Sequence, residues 1–175
     1  MSYSIPGVMN EWCPNEITPL TSDKARLASE IVGLNASGNT YLPAGLIWGW
    51  RTLSAELPYA EGVSDAIAVQ DNISKHLILM TDGVNVTSKN VGEAKHTGWN
   101  PAEGNRITRE LCTNIKDAGI TVYTVAFQVG DAGTQALLRE CATAPANAFD
   151  ADNAQELAAS FEKIAAKVAA IHLSK

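Results

Sequence analysis

The chain alternates between short continuous apolar runs and longer segments with helical spacing. Runs at 77–80 and 120–127 are typical of strands buried on both faces, and a short third strand is predicted at 147–149. Apolar residues that recur every three or four positions predict helices over roughly 21–35, 41–54, 101–117, 131–142 and 153–172, with a shorter helix near 66–69. Strands that alternate with helices predict an α/β fold with an open, mainly parallel three-layer sheet.

The N-terminal part of the chain has the weakest pattern. Residues 1–15 contain two prolines and a glycine and are predicted to be an irregular lead-in, so one domain is expected over 16–175. Residues 17–20 form at best a short edge strand, because Pro19 has no N–H for a ladder. The first predicted helix has an apolar face that is expected to pack on the core. This face consists of Leu27, Ile31 and Leu34.

The composition is that of a globular protein and excludes some partners. The 175 residues are 46% hydrophobic and 18% charged, which is enough for one domain with a core. The formal net charge is -6 and Lys and Arg do not cluster, which argues against nucleic acid and anionic membrane surfaces as partners. No apolar run has the length of a membrane span, and the first residues lack the apolar centre of a signal peptide.

The clearest chemical signal follows the strand predicted at 77–80. Thr81-Asp82-Gly83 places a carboxylate where the strand leaves the sheet, and Gly83 allows a sharp turn. Ligands of open α/β sheets bind at the carboxyl ends of the strands, and a hard oxygen ligand suits Mg²⁺ or Ca²⁺. Asp-Gly is also common turn chemistry, so a turn without any ligand is the alternative.

Two motifs in this order resemble the von Willebrand factor A family. Thr81-Asp82-Gly83 resembles its third metal-site motif, and residues 38–45 resemble the Gly-x-Thr loop that carries a metal-ligating threonine, here Thr40. The first motif, Asp-x-Ser-x-Ser at the end of the central strand, is absent from the sequence. The resemblance therefore implies an A-domain-like (Rossmann-like) sheet that lacks its first central strand.

The resemblance also implies an incomplete metal-ion-dependent adhesion site. Its metal ligands in this chain would be Thr40 and Asp82, with Mg²⁺ or Ca²⁺ bound only in the intact domain. Two oxygen ligands are too few for either ion, so no metal is expected to bind this chain alone.

Further segments look like the C-terminal part of TadG-like proteins of Flp/Tad pilus assembly. They include Trp48-Gly49-Trp50-Arg51 in the second helix, the strand at 122–127 and the helix segment at 137–142. This resemblance implies a non-catalytic, extracytoplasmic domain that binds protein partners, with pilus-assembly components among the candidates. A membrane anchor would lie outside this chain. The chain would then be an excised fragment or have a misassigned start.

The chain has three cysteines, Cys13, Cys112 and Cys141, and their spacings are not those of metal ligands. Three buried thiols are one interpretation. The extracytoplasmic setting implied by the resemblance favours another, a Cys112–Cys141 disulfide between helices that flank one strand. Cys13 would then be left to pair with a segment outside this chain.

A missing first strand has a consequence for assembly. The strand at 77–80 would lack a neighbour on one side, and an open apolar edge is a template for pairing with another chain. We therefore expect a two-fold homodimer, the commonest closed symmetry. The alternative is that residues 1–20 cover the edge, although Pro6, Pro14 and Pro19 make strand pairing there harder.

An enzyme is the alternative function, namely a hydrolase of the haloacid dehalogenase type with Asp82 as the nucleophile. Such an enzyme needs a second Asp two residues further on, and that position is Val84. Phosphate-binding glycine motifs of the Walker or dinucleotide type are also absent. The expectation is therefore that the chain is not an enzyme.

Overall fold

The structure is a computed structural model, and it describes residues 15–35, 38–90, 92–93, 95–96 and 98–173. The lead-in predicted over 1–15 lies outside the described residues, apart from its last position. The helices are α1 (Lys24–Val32), α2 (Leu42–Thr52), α3 (Asp65–Gln70), α4 (Pro101–Asp117), α5 (Ala132–Cys141) and α6 (Ala154–Leu173). The strands are β1 (His76–Thr81), β2 (Thr87–Ser88), β3 (Gly98–Trp99), β4 (Thr121–Phe127) and β5 (Ala148–Ala151).

The main sheet has the order β1-β4-β5 and both of its pairings are parallel. His76 is opposite Thr121 in the first pairing, and Thr124 is opposite Ala148 in the second. Helices cross between the strands, as parallel pairing requires. The predicted α/β class with an open parallel sheet is confirmed.

Each face of the sheet has its own helical layer. On one face β1 and β4 pack against α2, α4 and α5. The fully buried members of this core include Leu46, Ile115, Val122, Leu137 and Leu138. On the other face α6 packs against β4 and β5 through Tyr123, Val125 and Ile164. The sheet is therefore the middle of three layers.

Strand β1 is buried on one face only, which corrects the expectation of burial on both. Leu77 and Leu79 are each 7% exposed on the face of α2, whereas Ile78 and Met80 are each 42% exposed on the opposite face. The reason is the position of α6, which covers β4 and β5. In the described part of the chain β1 is also the outermost strand of its sheet.

The prediction that α1 packs on the core is wrong. None of its residues is buried, and Ile31 remains 66% exposed. The helix ends at Val32, so Leu34 lies beyond it and is 67% exposed. Asp23 caps the helix by accepting from two backbone N–H groups, but on its apolar face Leu27 is only half-buried and Ile31 is exposed. Residues 17–20 form no strand.

Two of the predicted helices start at polar caps. Asp131 Oδ2 accepts a hydrogen bond from the N–H of Thr134 at 2.7 Å, and the bonds from Thr134 hold the pKa of Asp131 below its ordinary value. Asn153 Oδ1 accepts from the N–H of Glu156 at 3.0 Å. These caps satisfy N–H groups that the first helical turn leaves without partners.

A disulfide joins α4 to α5. It links Cys112 and Cys141, whose Cα atoms are 5.1 Å apart and whose side chains are buried. An ion pair between Arg109 and Glu140, with a 2.7 Å contact, lies between the same two helices. The covalent bond holds together two helices that pack on the same face of β4.

Candidate functional site

The candidate site lies where β1 ends. Thr81 shapes the turn because its Oγ1 donates to the carbonyl of Gly83 at 2.9 Å and accepts from the N–H of Gly83 at 3.2 Å. This local bonding folds the chain back within two residues. Asp82 is consequently exposed at the tip of the turn, at the carboxyl end of the strand.

Thr40 lies against this turn although it belongs to a different loop, the one that precedes α2 in the sequence. Its Oγ1 is 3.6 Å from the point where a Cβ on Gly83 would lie, so the threonine hydroxyl faces the Asp82-Gly83 turn. The carbonyl of Thr40 accepts from the N–H of Val86 at 2.9 Å, which fixes the two loops together. The structure therefore brings the two sequence-predicted residues to one place.

Asn85 holds this arrangement from inside, and sequence reasoning missed it. Its side chain is 1% exposed, and its Oδ1 accepts from the N–H of Leu42 at 2.8 Å, at the start of α2. Its Nδ2 donates to Asn105 Oδ1 at 2.8 Å and to Thr108 Oγ1 at 3.1 Å, both on α4. The available signal was a single Asn between Val84 and Val86, which is polar in an apolar context.

The long segment after the turn contains a small hairpin. Ser88 pairs with Gly98, and Thr87 pairs with Trp99 in an antiparallel ladder. Trp99 is 77% exposed. The segment also contacts the Thr40 loop, because the hydroxyl of Tyr41 and Nδ1 of His96 are 2.5 Å apart. The hairpin therefore lies beside the candidate site.

Ionisable groups near the site already interact with other side chains of the protein. Glu103 forms a two-point ion pair with Arg106, with contacts of 2.8 and 3.0 Å, and the pKa of Glu103 is lowered by these hydrogen bonds. Burial raises the pKa of the Tyr41 hydroxyl, which therefore stays protonated at neutral pH. Asp82 is the exposed carboxylate that remains directly on the turn.

The residues present fit a divalent cation only in part. Thr40 and Asp82 offer two oxygen atoms, whereas Mg²⁺ takes about six ligands and Ca²⁺ about six to eight. Among the residues that the structure describes, no group of three His, Cys, Asp or Glu side chains could hold a metal ion. The arrangement is thus a portion of an oxygen-ligand site at the carboxyl end of a parallel strand.

A parallel sheet with a helical layer on each face, and with a threonine loop against an Asp-Gly turn at one strand end, defines a class of three-layer α/β domain. The model of the von Willebrand factor type A domain family matches residues 51–163, which is well over half of the chain. The chain belongs to the von Willebrand factor type A domain family. Domains of this family generally bind proteins and are non-catalytic, and commonly carry a metal-ion-dependent adhesion site.

Two proteins with solved structures, a pilus adhesin and a mussel byssus protein, share this fold. The pilus adhesin SpaC from Lactobacillus rhamnosus GG has a TM-score of 0.61 at 18% identity, over 83% of this chain and 21% of SpaC. The proximal thread matrix protein 1 from the mussel byssus has a TM-score of 0.50 at 16% identity, over 81% of this chain and 28% of that protein. The chain thus spans less than a third of either protein.

Two further observations complete the comparison. A search of curated proteins finds no match. Within the described residues no helix combines the length and the apolar character needed to cross a membrane.

Proposed function

We propose that the chain is a non-catalytic protein-interaction domain of a TadG-like pilus-assembly protein, located outside the cytoplasm. The observation that carries this proposal is the meeting of Thr40 with the Asp82-Gly83 turn at the end of β1. Two loops far apart in sequence are held there by the buried amide of Asn85. The fold shared with a pilus adhesin supports the proposed setting.

The surface that binds the partner consists of Thr40, Asp82 and the β2–β3 hairpin. Asp82 supplies an exposed negative charge at the turn, and Trp99 supplies an exposed aromatic ring on the hairpin. Aromatic residues are frequent energetic centres of protein interfaces. The exposed Trp99 therefore makes the hairpin the apolar part of this surface.

Thr40 and Asp82 form an incomplete metal-ion-dependent adhesion site in this proposal. In the intact domain they would contribute two of the oxygen ligands of Mg²⁺ or Ca²⁺, and the ion would attract a carboxylate of the partner. The remaining ligands would come from an Asp-x-Ser-x-Ser motif, which this sequence lacks. The chain alone therefore binds its partner without a tightly held metal ion.

The extracytoplasmic location is supported by the Cys112–Cys141 disulfide, because disulfides persist in oxidising compartments. Attachment to the membrane would come from an anchor outside this chain. Neither nucleic acid nor an anionic membrane surface is a proposed partner, in line with the net charge of -6. A second copy of the chain is a further candidate partner, because β1 is exposed at the edge of the sheet.

Binding measurements with pilins and assembly proteins encoded beside the gene test this proposal. We expect one of them to bind the immobilised chain, and Asp82→Ala and Thr40→Ala to weaken that binding by about tenfold or more. Asp117→Ala is the matched control, since it removes an exposed carboxylate at the opposite end of the sheet. Binding that both site variants leave unchanged would move the interface elsewhere, and no binding by any of these proteins would contradict the role in pilus assembly.

A further inference from the structure

We propose that a cleft at the amino end of the sheet binds a small organic acid with an apolar body. The cleft lies among the described residues where α2 ends, α3 begins and strands β1 and β4 start, and it has a volume of about 190 Å³. The Asp82 turn lies at the other end of the six-residue strand β1, which is about 20 Å long. The cleft is therefore a second site, separate from the proposed interaction surface.

One part of the cleft lining is apolar and continuous with the core. It consists of residues at the end of α2, before α3 and before β4, namely Trp50, Leu53, Val63, Ala118 and Ile120. Ile120 is 4% exposed and belongs to the main core, and Trp50 and Leu53 pack against that core. An apolar group that enters the cleft would leave water for a surface that the core already holds in place.

Two loop segments of the lining are held together by a close backbone contact. A Cβ on Gly62 would collide with the carbonyl oxygens of Leu53 and Ser54, so only glycine lets the two segments approach this closely. The hydroxyl of Ser54 also accepts from the N–H of Glu56 at 3.3 Å, which fixes the turn after α2. The shape of the cleft is therefore set before a ligand arrives, and such preorganisation favours binding.

Lys75 is the most buried charged group of the cleft lining. Its side chain is only 11% exposed, and its carbonyl accepts from the N–H of Thr121 at 3.0 Å, which fixes the residue against the sheet. Its Nζ is 2.8 Å from Oδ1 of Asp65, whose side chain is 82% exposed. Both members of this ion pair line the cleft, so the pair forms part of its wall.

The head group of the ligand follows from Lys75. An ammonium group has three N–H donors, and within the described part of the chain Lys75 uses one of them, in the bond to Asp65. A buried cation is stabilised by further acceptors, and a carboxylate supplies a charge-assisted bond. The carboxylates of the lining, Glu56 and Asp65, are on exposed side chains, so an amine that reached the apolar lining would approach the buried cation instead. The charges therefore select an acid over an amine.

The volume of the cleft limits the apolar body of the ligand. An engineered protein cavity of about 150 Å³ holds benzene, whereas sites for drug-sized ligands have about 300–1,000 Å³. A cleft of about 190 Å³ therefore admits a phenyl ring or a branched aliphatic chain and is too small for a nucleotide or an oligosaccharide. The ligand class is a monocarboxylic acid with one such group.

NMR titration of the full chain with phenylacetate tests the proposal, with phenylacetamide and phenethylamine as neutral and cationic probes of the same shape. We expect phenylacetate to bind with a dissociation constant of about 1 mM or below, at least about tenfold tighter than the other two probes. Lys75→Met is expected to weaken this binding by about tenfold or more. Lys163→Met is the matched control, since Lys163 is exposed on α6 and outside the cleft.

Ala55→Phe is a second variant that leaves the ion pair intact. Ala55 is exposed and lines the cleft, so a phenyl ring there is expected to fill the cleft and weaken phenylacetate binding by about tenfold or more. Circular dichroism checks that every variant remains folded, and Ala55→Phe and the three probes decide the matter if Lys75→Met does not fold. Three results would each overturn the proposal: no binding of phenylacetate by the full chain at about 10 mM, equal binding of all three probes, or binding that Ala55→Phe leaves unchanged. The first of these would also result if residues outside the described ranges fill the cleft.

Discussion

Asn85 connects three segments that are distant in the chain: the start of α2, the turn after β1 and the first half of α4. Its amide makes three hydrogen bonds, to the N–H of Leu42 and to the side chains of Asn105 and Thr108, and those to Leu42 and Thr108 are buried. A buried amide that is fully hydrogen-bonded fixes one geometry, because every other arrangement leaves polar groups without partners. The position of the Thr40 loop relative to Asp82 depends on this residue.

Replacement of Asn85 tests that dependence. We expect Asn85→Ala to lower the free energy of unfolding by about 1–3 kcal/mol, because it leaves the N–H of Leu42 without its acceptor and removes the donor to Asn105 Oδ1 and Thr108 Oγ1. Asn114→Ala on the exposed side of α4 is the control, with an expected change within about 0.5 kcal/mol. Urea denaturation of both variants measures the difference, and equal small changes would mean that Asn85 does not hold the site together.

Among individual residues, the sequence predicts those whose role follows from their place in a motif. Thr40 and Asp82 could be singled out because a strand end and a short loop motif point to them. Asn85 could not, because burial of a polar side chain depends on partners more than 15 residues away in the chain. The metal-binding role of Thr40 and Asp82 stays a prediction.

Among the elements, the sequence predicts best those that carry local signals. Helices α5 and α6 begin directly after Asp131 and Asn153, where the predicted helices 131–142 and 153–172 start, because capping involves residues only two or three positions apart. The exposure of α1 and of one face of β1 could not be predicted in this way. An apolar pattern shows which face can be buried, but a neighbouring element must be present to bury it.

The disulfide gives a prediction for the pair of helices α4 and α5. Reduction, or the double substitution Cys112→Ser with Cys141→Ser, is expected to cost about 2–5 kcal/mol of stability. Thermal unfolding with and without a reductant measures this, and the double variant serves as the control because the reductant should no longer change its midpoint. A wild-type midpoint that does not respond to reductant would show that the bridge is absent in solution or does not stabilise the domain.

As a whole, the molecule is an A-type domain whose main sheet, in the described residues, ends at β1. At the carboxyl end of this strand the hydroxyl of Thr40 faces the Asp82-Gly83 turn, and one face of the strand is apolar and exposed. The sequence predicts the open parallel sheet from its alternating strands and helices, and the structure confirms it. The incomplete metal site is not tested by the fold and stays a prediction.

The central claim is that Thr40 and Asp82 are two ligands of an incomplete metal site. Calorimetric titration with Mg²⁺ and Mn²⁺ tests this claim most directly. The titration compares the chain alone with a version that has an Asp-x-Ser-x-Ser strand of an A-type domain fused ahead of it. We predict no binding of micromolar affinity or tighter by the chain alone, because two oxygen atoms cannot complete the shell. The fused version is predicted to bind, and Thr40→Val and Asp82→Asn to abolish that binding while the control Asp117→Asn does not. Micromolar binding by the chain alone, or binding by the fused version that does not need Thr40 and Asp82, would contradict this account of the site.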